Sequence, residues 1–260
     1  MAVIVLSSVV GSPGATTSSL LMALQWPRDV LLVDADRVPT QAIESGFLRD
    51  RDHASRGLIA LAQHRGRATL ARALWEQSVP LVEETAPTRR FLSGFSHPGA
   101  ADLFAPVWDD FGATVAELEA AGVDVIIDAG RVGAGLPTAL VRHADSVLVA
   151  TRTSLRALAA LRLSLPMVVE QVGEHAPQAE CGLLLIGAGQ PYSADEVGEH
   201  FGVPILGTLP HDPPAAAHLI DGAPARRRFE RSALVRGGIA LAQRLAHRVG
   251  RRSRVQAVAP

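Results

Sequence analysis

The sequence predicts an α/β protein: a three-layer sandwich in which a mostly parallel, twisted sheet of about seven strands is flanked by helices. Three observations predict this class. Apolar runs alternate along the chain with helical patterns, as in βαβ units. The runs are continuously apolar, which indicates strands that are buried on both faces. The length of 260 residues fits one domain of this class.

The elements alternate in the order expected for such a sheet. Apolar segments bounded by turn residues predict strands at residues 2–8, 30–36, 89–94, 123–130, 146–151, 182–189 and 203–210. Apolar residues that recur at helical spacing predict helices at about residues 16–25, 56–65, 67–78, 102–122, 153–165 and 232–254. We therefore expect one domain over residues 1–249, followed by a basic, flexible tail over residues 250–260.

Composition narrows the classes of function. The formal net charge of −1 argues against nucleic-acid binding through overall charge. All 25 basic residues are arginine, and the chain contains neither lysine nor asparagine. The single Cys181 excludes an internal disulfide and a thiolate metal cluster, and the nine histidines lack metal-ligand spacing.

The N-terminal segment does not have the form of a secretory signal. It lacks a basic region, and Gly11, Pro13 and Gly14 interrupt its apolar run early. No stretch of the sequence reaches the roughly 18 consecutive apolar residues of a membrane span. We therefore expect a cytoplasmic protein.

The segment SSVVGSPGATTSSLL, residues 7–21, has the outline of a phosphate-binding loop. Gly11 and Gly14 bracket the loop between a buried strand and a predicted helix. Such a loop points backbone N–H groups at phosphate oxygens, and the helix N-terminus adds partial positive charge. Thr16 occupies the position of the hydroxyl that binds Mg²⁺ in the usual motif. The alternative is an ordinary strand-to-helix turn in which Thr16 or Thr17 caps the helix.

Three aspartates close two of the predicted strands. Asp34 and Asp36 end the second strand, and Asp128 ends an apolar run of the Walker B form. Ligand sites in open α/β sheets lie at such strand ends, where carboxylates can hold Mg²⁺ directly or through water. Each aspartate alone could instead be a helix cap or a turn residue. Their order along the chain, after the loop, favours a nucleotide site.

These segments resemble the ParA/MinD superfamily of deviant Walker P-loop ATPases (SIMIBI class), and most of all its TadZ/CpaE-like branch. VIVLSSVVGSPGATTSSLLMAL resembles the family's opening strand, loop and helix, VLLVDAD its second strand, and GVDVIIDAG its Walker B strand. ADSVLVATRTSLRALAALR is similar to the segment that leads into a helix at the dimer face. GVPILGTLPHDPPAAAHLIDGAP is similar to the C-terminal strand and the loop near the adenine. The resemblance covers nearly the whole chain.

The resemblance implies a site for ATP or ADP with Mg²⁺. Asp36 would position the attacking water, and Thr16, Asp34 and Asp128 would hold Mg²⁺ directly or through water. His211 is interpreted as a plain turn residue. The nucleotide itself would be bound by Gly11, Ser12, Pro13, Gly14, Ala15, Thr16, Thr17, Pro210 and Asp212.

Two positions of the loop depart from the family's pattern. Val10 and Ala15 stand where the family carries lysines that contact phosphates, the first of them across a dimer. Each lost charge-assisted contact costs about 1.5–3 kcal/mol, so weak nucleotide binding and little or no ATP hydrolysis are expected. Three arginines that follow strands could contact the phosphates instead, or could be surface residues or partners of the aspartates. They are Arg37, Arg131 and Arg152.

Three functions follow from the resemblance and its departures. The first is a TadZ/CpaE-like positioning or scaffolding protein for a pilus, secretion or septum-associated assembly, recruited to a pole, a septum or the inner membrane face. The second is a ParA-type chromosome or plasmid partition ATPase that binds non-specific DNA, and the third is a lysine-independent ATPase or another nucleotide enzyme. The missing lysines favour the first. A homodimer is expected, with Leu155, Leu158 and Leu161 on a candidate contact helix.

Arginines crowd the C-terminal end of the chain. Apolar residues recur there at helical spacing, namely Leu234, Leu241, Leu245 and Val249. The arginines could bind DNA or an anionic membrane surface. A terminal helix packed on the sheet, with a solvated basic end, is favoured over both. Gly237 and Gly238 weaken the segment as an isolated membrane helix.

Overall fold

The computed structural model describes residues 2–9, 14–49, 57–62, 67–83, 86–133, 135–225 and 229–256. Their strands form one eight-stranded sheet in the order β3-β4-β2-β5-β1-β6-β7-β8. Neighbouring strands are parallel except for the antiparallel pair β3–β4, so the predicted fold class is confirmed. The strands are β1 Val3–Ser8, β2 Val30–Asp34, β3 Val79–Pro80, β4 Arg89–Leu92, β5 Asp124–Arg131, β6 Ser146–Arg152, β7 Glu180–Ile186 and β8 Ile205–Leu209.

Helices cover both faces of the sheet and bury a separate apolar core on each. One core is formed with α1, α2, α10 and α11, and the other with the helices from α3 to α9. This burial on both faces explains the continuous apolar runs of the central strands. The helices are α1 Ala15–Leu24, α2 Ala42–Ser45, α3 Leu58–Leu61, α4 Arg67–Gln77, α5 Pro98–Leu103, α6 Trp108–Ala120, α7 Thr138–Arg142, α8 Leu155–His175, α9 Ala194–Phe201, α10 Pro213–Ile220 and α11 Ala233–Gln256.

The single helix predicted over residues 102–122 is interrupted. It is replaced by the end of α5, a 3₁₀ turn at Ala105–Val107 and α6. Pro106 lies in that turn and lacks the N–H that a continuing α-helix would need. At the break, the Phe104 ring packs edge-on against Trp108 with ring centroids 4.8 Å apart, and this contact secures the change of direction.

Other elements also differ from the sequence-based prediction, which gave no bounds for the short helices α2, α7 and α9. The short strand β3 was not predicted, because two residues are too few to show a pattern. Helix α8 continues through Pro166 to His175, since the buried stripe resumes at Val168 and Val172 beyond the proline. Of the helix predicted over residues 56–65, the described residues form α3 at Leu58–Leu61, and residues 56 and 63–65 lie outside the described residues.

Helix α11 packs closely on α1 and on β8. A Cβ atom added to Gly238 would lie 2.5 Å from Cγ of Leu21, so only glycine permits this approach. The helix runs to Gln256, beyond the boundary expected at residue 249. None of the described helices, α11 included, combines the length and the apolarity needed to cross a bilayer.

Candidate functional site

A cleft of about 420 Å³ opens at the carboxyl ends of the central strands. It lies beside the start of α1, at the end of the predicted phosphate loop that follows β1. Of the loop, Val10, Gly11, Ser12 and Pro13 lie outside the described residues. The predicted site residues that line the cleft are Gly14, Ala15, Thr16, Thr17, Asp36, Arg131, Arg152, Pro210 and Asp212.

Helix α1 begins at the wall of this cleft. Gly14 precedes it with a left-handed backbone (φ +93°), and an added Cβ would lie 3.2 Å from Cδ1 of Ile186. Glycine is therefore the residue suited to this position. The Gly14 carbonyl accepts the first helical hydrogen bond from the Ser18 N–H at 2.9 Å. The N–H groups of the first turn have no partner inside a helix, so this end of α1 suits an anion.

Two aspartates lie side by side beneath the cleft. Asp34 and Asp128 are register partners on the neighbouring strands β2 and β5, and both are buried. Burial raises the pKa of Asp128 to about 6, against the effect of the Thr16 hydroxyl and the Gly130 N–H. Burial, followed by repulsion from Asp128 and Glu44, raises the pKa of Asp34 well above its ordinary value. Two carboxyls this close cannot both ionise at low cost without a cation.

Asp36 lies closer to solvent than these two and faces the cleft. Its backbone N–H donates to Oδ1 of Asp34 at 3.0 Å, and its own Oδ1 accepts from the Val38 N–H at 2.8 Å. Burial raises the pKa of Asp36, while the Val38 N–H and the Arg131 guanidinium oppose that rise. A Cβ at Gly130 would lie 2.0 Å from Cγ of Asp36, so Gly130 leaves the space that this side chain fills.

Two arginines flank the loop strand, one on each side. Strand β1 lies between β5 and β6, and Arg131 of β5 is the register partner of Ser8. Arg152 ends β6, two residues beyond Ala150, which is the partner of Ser8 on the other side. Both arginine side chains are exposed in the cleft, where they could bind an anion together with the end of α1.

The third candidate arginine is engaged elsewhere. Nη2 of Arg37 donates to the carbonyl oxygen of Gly135 at 2.5 Å and to that of Val132 at 3.4 Å. These bonds fasten the end of β2 to the segment after β5. Arg37 is therefore placed as a structural anchor, and it influences the site through its charge on Asp36.

Sequence reasoning missed several residues of the cleft. Ser8 and Thr40 contribute hydroxyls, and Asp221 contributes a carboxylate at the end of α10. His211, interpreted as a turn residue, also lines the cleft between Pro210 and Asp212. The position of Ser8 at the end of the first strand was a usable signal, whereas Thr40 and Asp221 reach the cleft only through the folding of α2 and α10.

The chemistry of the deep end of the cleft fits Mg²⁺. Oδ1 of Asp128 accepts from the Gly130 N–H at 3.0 Å, while its buried Oδ2 has no hydrogen bond of ordinary geometry. A hard cation prefers such oxygen ligands, with the Thr16 hydroxyl as another. Among the described residues, no three His, Cys, Asp or Glu side chains are grouped so as to hold a metal alone. Phosphate oxygens and water would therefore have to complete a metal site here.

Comparison with known proteins gives matches among solved structures only. No family model and no curated protein matches the chain. The MinD cell division protein of Aquifex aeolicus is 16% identical, with a TM-score of 0.70 over 95% of this chain and 97% of its own. The chain has the fold of the MinD and ParA-family ATPases.

Two further structures with this fold extend the comparison. The ParA family ATPase of Chlorobium tepidum TLS is 16% identical, with a TM-score of 0.68 over 93% of this chain and 98% of its own. The septum site-determining protein MinD of Pyrococcus horikoshii OT3, complexed with Mg-ADP, is 18% identical, with a TM-score of 0.65 over 95% and 98%. The agreement extends over nearly the whole MinD/ParA fold and shows its arrangement of strands and helices.

Proposed function

We propose that this chain is a ParA/MinD-like positioning or scaffolding protein of the TadZ/CpaE kind. It binds ATP or ADP weakly in the cleft at α1 and hydrolyses ATP slowly or not at all. It serves a pilus, secretion or septum-associated assembly and acts from the cytoplasm at a pole, a septum or the inner membrane face. The fold, which matches MinD and ParA-family ATPases over nearly its full length, supports this proposal.

The observation that carries the nucleotide site is the pair of arginines on either side of β1. Arg131 and Arg152 supply two positive charges at the mouth of the cleft. Because the chain contains no lysine, positively charged phosphate ligands in this cleft have to be arginines, and these two line it. A guanidinium binds phosphate oxygens in a bidentate manner and keeps its charge at all ordinary pH values. The two arginines thus replace part of the binding energy that Val10 and Ala15 do not provide.

Magnesium fits the same proposal. The neighbour from Pyrococcus horikoshii is a complex with Mg-ADP. In this chain, Thr16, Asp34 and Asp128 would hold Mg²⁺ together with the nucleotide's phosphates, and Asp36 would position the attacking water. When bound, the metal neutralises phosphate charge. The ion would also relieve the repulsion between the two buried aspartates.

Slow turnover follows from Ala15. Its side chain is buried at the start of α1 and carries no charge into the cleft. Binding can rely on the helix N-terminus and on arginines at the rim. Hydrolysis needs charge placed against the transition state, where one missing donor typically costs 10²–10³-fold in rate. We therefore expect turnover far below the ordinary enzyme range of about 1–10³ s⁻¹.

Calorimetric titration with Mg-ATP and Mg-ADP tests the binding site. We expect Arg131→Gln and Arg152→Gln each to weaken binding by about 10- to 100-fold, the value of one charge-assisted contact. Arg72→Gln is the matched control, because Arg72 is an exposed arginine that pairs with Glu76 on α4. Equal affinities for all four proteins would contradict the assignment of the two cleft arginines.

A second experiment restores the missing charge. Ala15→Lys is expected to tighten Mg-ATP binding by about tenfold or more, because lysine at this loop position contacts phosphates. Steady-state phosphate release is measured on the same variant and on the native chain. Native turnover near 1 s⁻¹ would overturn the scaffold proposal. Unchanged affinity after Ala15→Lys would argue that the loop is no longer a nucleotide site.

A ParA-type partition ATPase is the second candidate. The observation that favours it is the exposed positions of Arg236 and Arg244 along α11, which continues as a helix to Gln256. A basic helix edge can bind the DNA backbone without reading sequence. In both candidates a homodimer is proposed, with the face that carries the loop at the dimer contact. The partners of the first candidate are pilus, secretion-system or cell-pole proteins.

A further inference from the structure

A second depression opens beside the end of β8, apart from the cleft at α1. It holds about 380 Å³ and lies between α11, the end of β8 and the loop that follows β7. Residues 209–211 line both the depression and the cleft, so they form the wall that separates the two. The volume falls within the range of small-molecule sites, about 300–1,000 Å³. The proposed nucleotide site does not account for this space.

Small residues line the sides of the depression, namely Gly187, Ala188, Gly237 and Ala240. A Cβ added to Gly237 would lie 2.9 Å from Cδ of Pro210, and one added to Gly187 would lie 3.1 Å from Cβ of His211. Glycine at both positions therefore lets α11 and the loop after β7 approach the wall closely. Side chains this small leave room for a flat apolar group against the backbone.

The loop on one side of the depression is held in place from beneath. Thr153 is fully buried, and its hydroxyl oxygen lies 2.9 Å from the carbonyl oxygen of Gly187 and 3.1 Å from that of Gln190. The Gly187 N–H donates to the Leu209 carbonyl at 2.8 Å, which ties the loop to the end of β8. The depression is therefore preformed, and a ligand does not have to order this loop when it binds.

Four polar side chains of the depression are not engaged elsewhere in the described part of the chain. None makes a side-chain hydrogen bond or an ion pair with another described residue; they are Gln190, Thr208, His211 and Arg244. Two other arginines of α11 differ, because Arg236 donates to the Arg231 carbonyl and Arg248 pairs with Glu180. Among the described residues, no aspartate or glutamate lines the depression. It therefore offers hydrogen-bond donors and a positive charge to an anion.

We propose that this depression binds a small organic phosphate, with an apolar ring against the glycines and the phosphate group on Arg244. A guanidinium can donate two parallel hydrogen bonds to a phosphate. The Thr208 hydroxyl and the His211 ring supply further donors, and a phosphate group has enough oxygens to accept from all three side chains. Leu209 and Leu241 add apolar surface for the ring. The binding site is independent of the nucleotide site proposed at α1.

Titration of the isotope-labelled full chain with phenyl phosphate tests this site by two-dimensional NMR, without nucleotide. The amide signals of Gly187, Ala188 and Ala240 should shift, with a Kd of about 0.1–1 mM, as expected for so small a ligand. Inorganic phosphate lacks the ring and should bind at least about fivefold more weakly. Benzoate keeps the ring but carries a single charge, so it should also bind more weakly. Equal binding of benzoate would overturn the choice of phosphate.

Three arginine variants locate the ligand. Arg244→Gln should weaken phenyl phosphate binding by about tenfold or more, the value of one charge-assisted contact. Arg236→Gln is the matched control on the same helix and should leave the Kd unchanged, because Arg236 lies outside the depression. Arg131→Gln should also leave it unchanged, because Arg131 lines only the cleft on the other side of the wall. The spectra themselves establish that each variant is folded.

Three outcomes would overturn the proposal. The first is an absence of amide shifts at about 10 mM phenyl phosphate, tenfold above the weakest expected Kd. The second is an equal loss of affinity in Arg244→Gln and Arg236→Gln, which would show attraction by overall charge alone. The third is a loss in Arg131→Gln with none in Arg244→Gln, which would place the ligand in the cleft at α1.

Discussion

The position of Asp36 depends on Gly130, which has no Cβ atom to occupy the space of the Asp36 carboxyl. That glycine has φ +63°, and a Cβ there would overlap the Asp36 carboxyl. Its N–H also donates to Asp128, so the residue connects two of the three aspartates of the site. The sequence predicts these aspartates as site residues from their places at strand ends, but a pattern of apolar runs gives no sign that Gly130 contacts both Asp36 and Asp128.

Alanine substitutions at Gly130 and Gly202 distinguish two effects: the loss of space for the Asp36 side chain, and the strain of a left-handed backbone. Gly202 has nearly the same backbone (φ +65°), but nothing lies within 4 Å of a Cβ added to it. Gly202→Ala should therefore destabilise the fold by about 1–2 kcal/mol, the cost of a left-handed alanine. Gly130→Ala should cost a further 1–3 kcal/mol, about the price of overpacking, and should displace Asp36. Urea unfolding measures both, and equal losses would show that the Asp36 contact carries no energy.

The buried Asp128 predicts a stability that falls as pH rises. Its pKa is about 6 in the folded chain and near 3.8 in the unfolded chain, so between these values the folded chain binds more protons. The free energy of unfolding should then decrease from pH 4 to pH 7, by about 1–3 kcal/mol through this group. Asp34 acts in the same direction. Unfolding is measured without Mg²⁺.

Asp128→Asn is the control for this pH dependence. Asparagine has almost the same volume and cannot ionise, so the variant should lose less stability between pH 4 and pH 7 than the native chain. It should also be the more stable of the two at pH 7. If both proteins showed the same fall, the pH dependence would belong to other groups.

At the scale of elements, most of the sheet was predictable and most of the interruptions were not. Seven strands follow from apolar runs, because parallel strands in a three-layer fold are buried on both faces. The break at Pro106 and the continuation through Pro166 were not predicted. The first proline lies where aromatic packing turns the chain, and the second lies on an exposed helix face. Tertiary contacts, rather than the prolines themselves, decide the two outcomes.

The arginines illustrate the same limit at the site. Arg37, Arg131 and Arg152 each follow a predicted strand, and the sequence alone treats them alike. In the structure, the turn after β5 presents the carbonyls of Val132 and Gly135 to Arg37, which does not line the cleft as Arg131 and Arg152 do. Where a long side chain ends depends on the backbone of another segment, which has no signal near the arginine itself.

The paired glycines of α11 were interpreted from the sequence as a weakness, and the structure gives them a packing role. A Cβ at Gly238 would meet Leu21 of α1 at 2.5 Å, whereas one at Gly250 would meet nothing within 4 Å. Alanine favours a helix over glycine by about 1 kcal/mol. Gly250→Ala should therefore stabilise the chain by up to about that amount, and Gly238→Ala should destabilise it by about 1–3 kcal/mol.

Thermal unfolding of the two alanine variants decides between packing and propensity. Opposite shifts of Tm are expected, upward for Gly250→Ala and downward for Gly238→Ala. An upward shift for both would show that α11 can move away from α1 without loss, and that the close approach of the two helices contributes little.

For the whole molecule, the basic C-terminal end predicts a clear difference between the two proposed functions. If residues 250–260 bind DNA and contact six phosphates, the affinity for DNA should fall by about 10³-fold or more between 50 and 200 mM salt. The reason is that each neutralised phosphate releases counterions. We expect instead that little of the protein is retained on DNA at any salt concentration, because the net charge of −1 gives little long-range attraction. Filter binding to duplex DNA measures this.

Truncation supplies the control. Deleting residues 250–260 should leave DNA retention and vesicle binding unchanged if the end is merely solvated. Loss of a salt-sensitive DNA complex on truncation would contradict our preference and raise the partition ATPase above the scaffold. Stability should change little, because the deleted residues follow Val249, the last buried side chain described in α11.

The sheet ends at β3 in a way that restricts how copies of this protein can associate. This outermost strand has two residues, and the second of them is Pro80, opposite Arg90 of β4. A proline offers no N–H to an incoming strand, and a strand this short offers little backbone for pairing. Growth of the sheet from one molecule into the next is therefore blocked on this side. At high protein concentration, crowded copies therefore cannot template fibres from this edge.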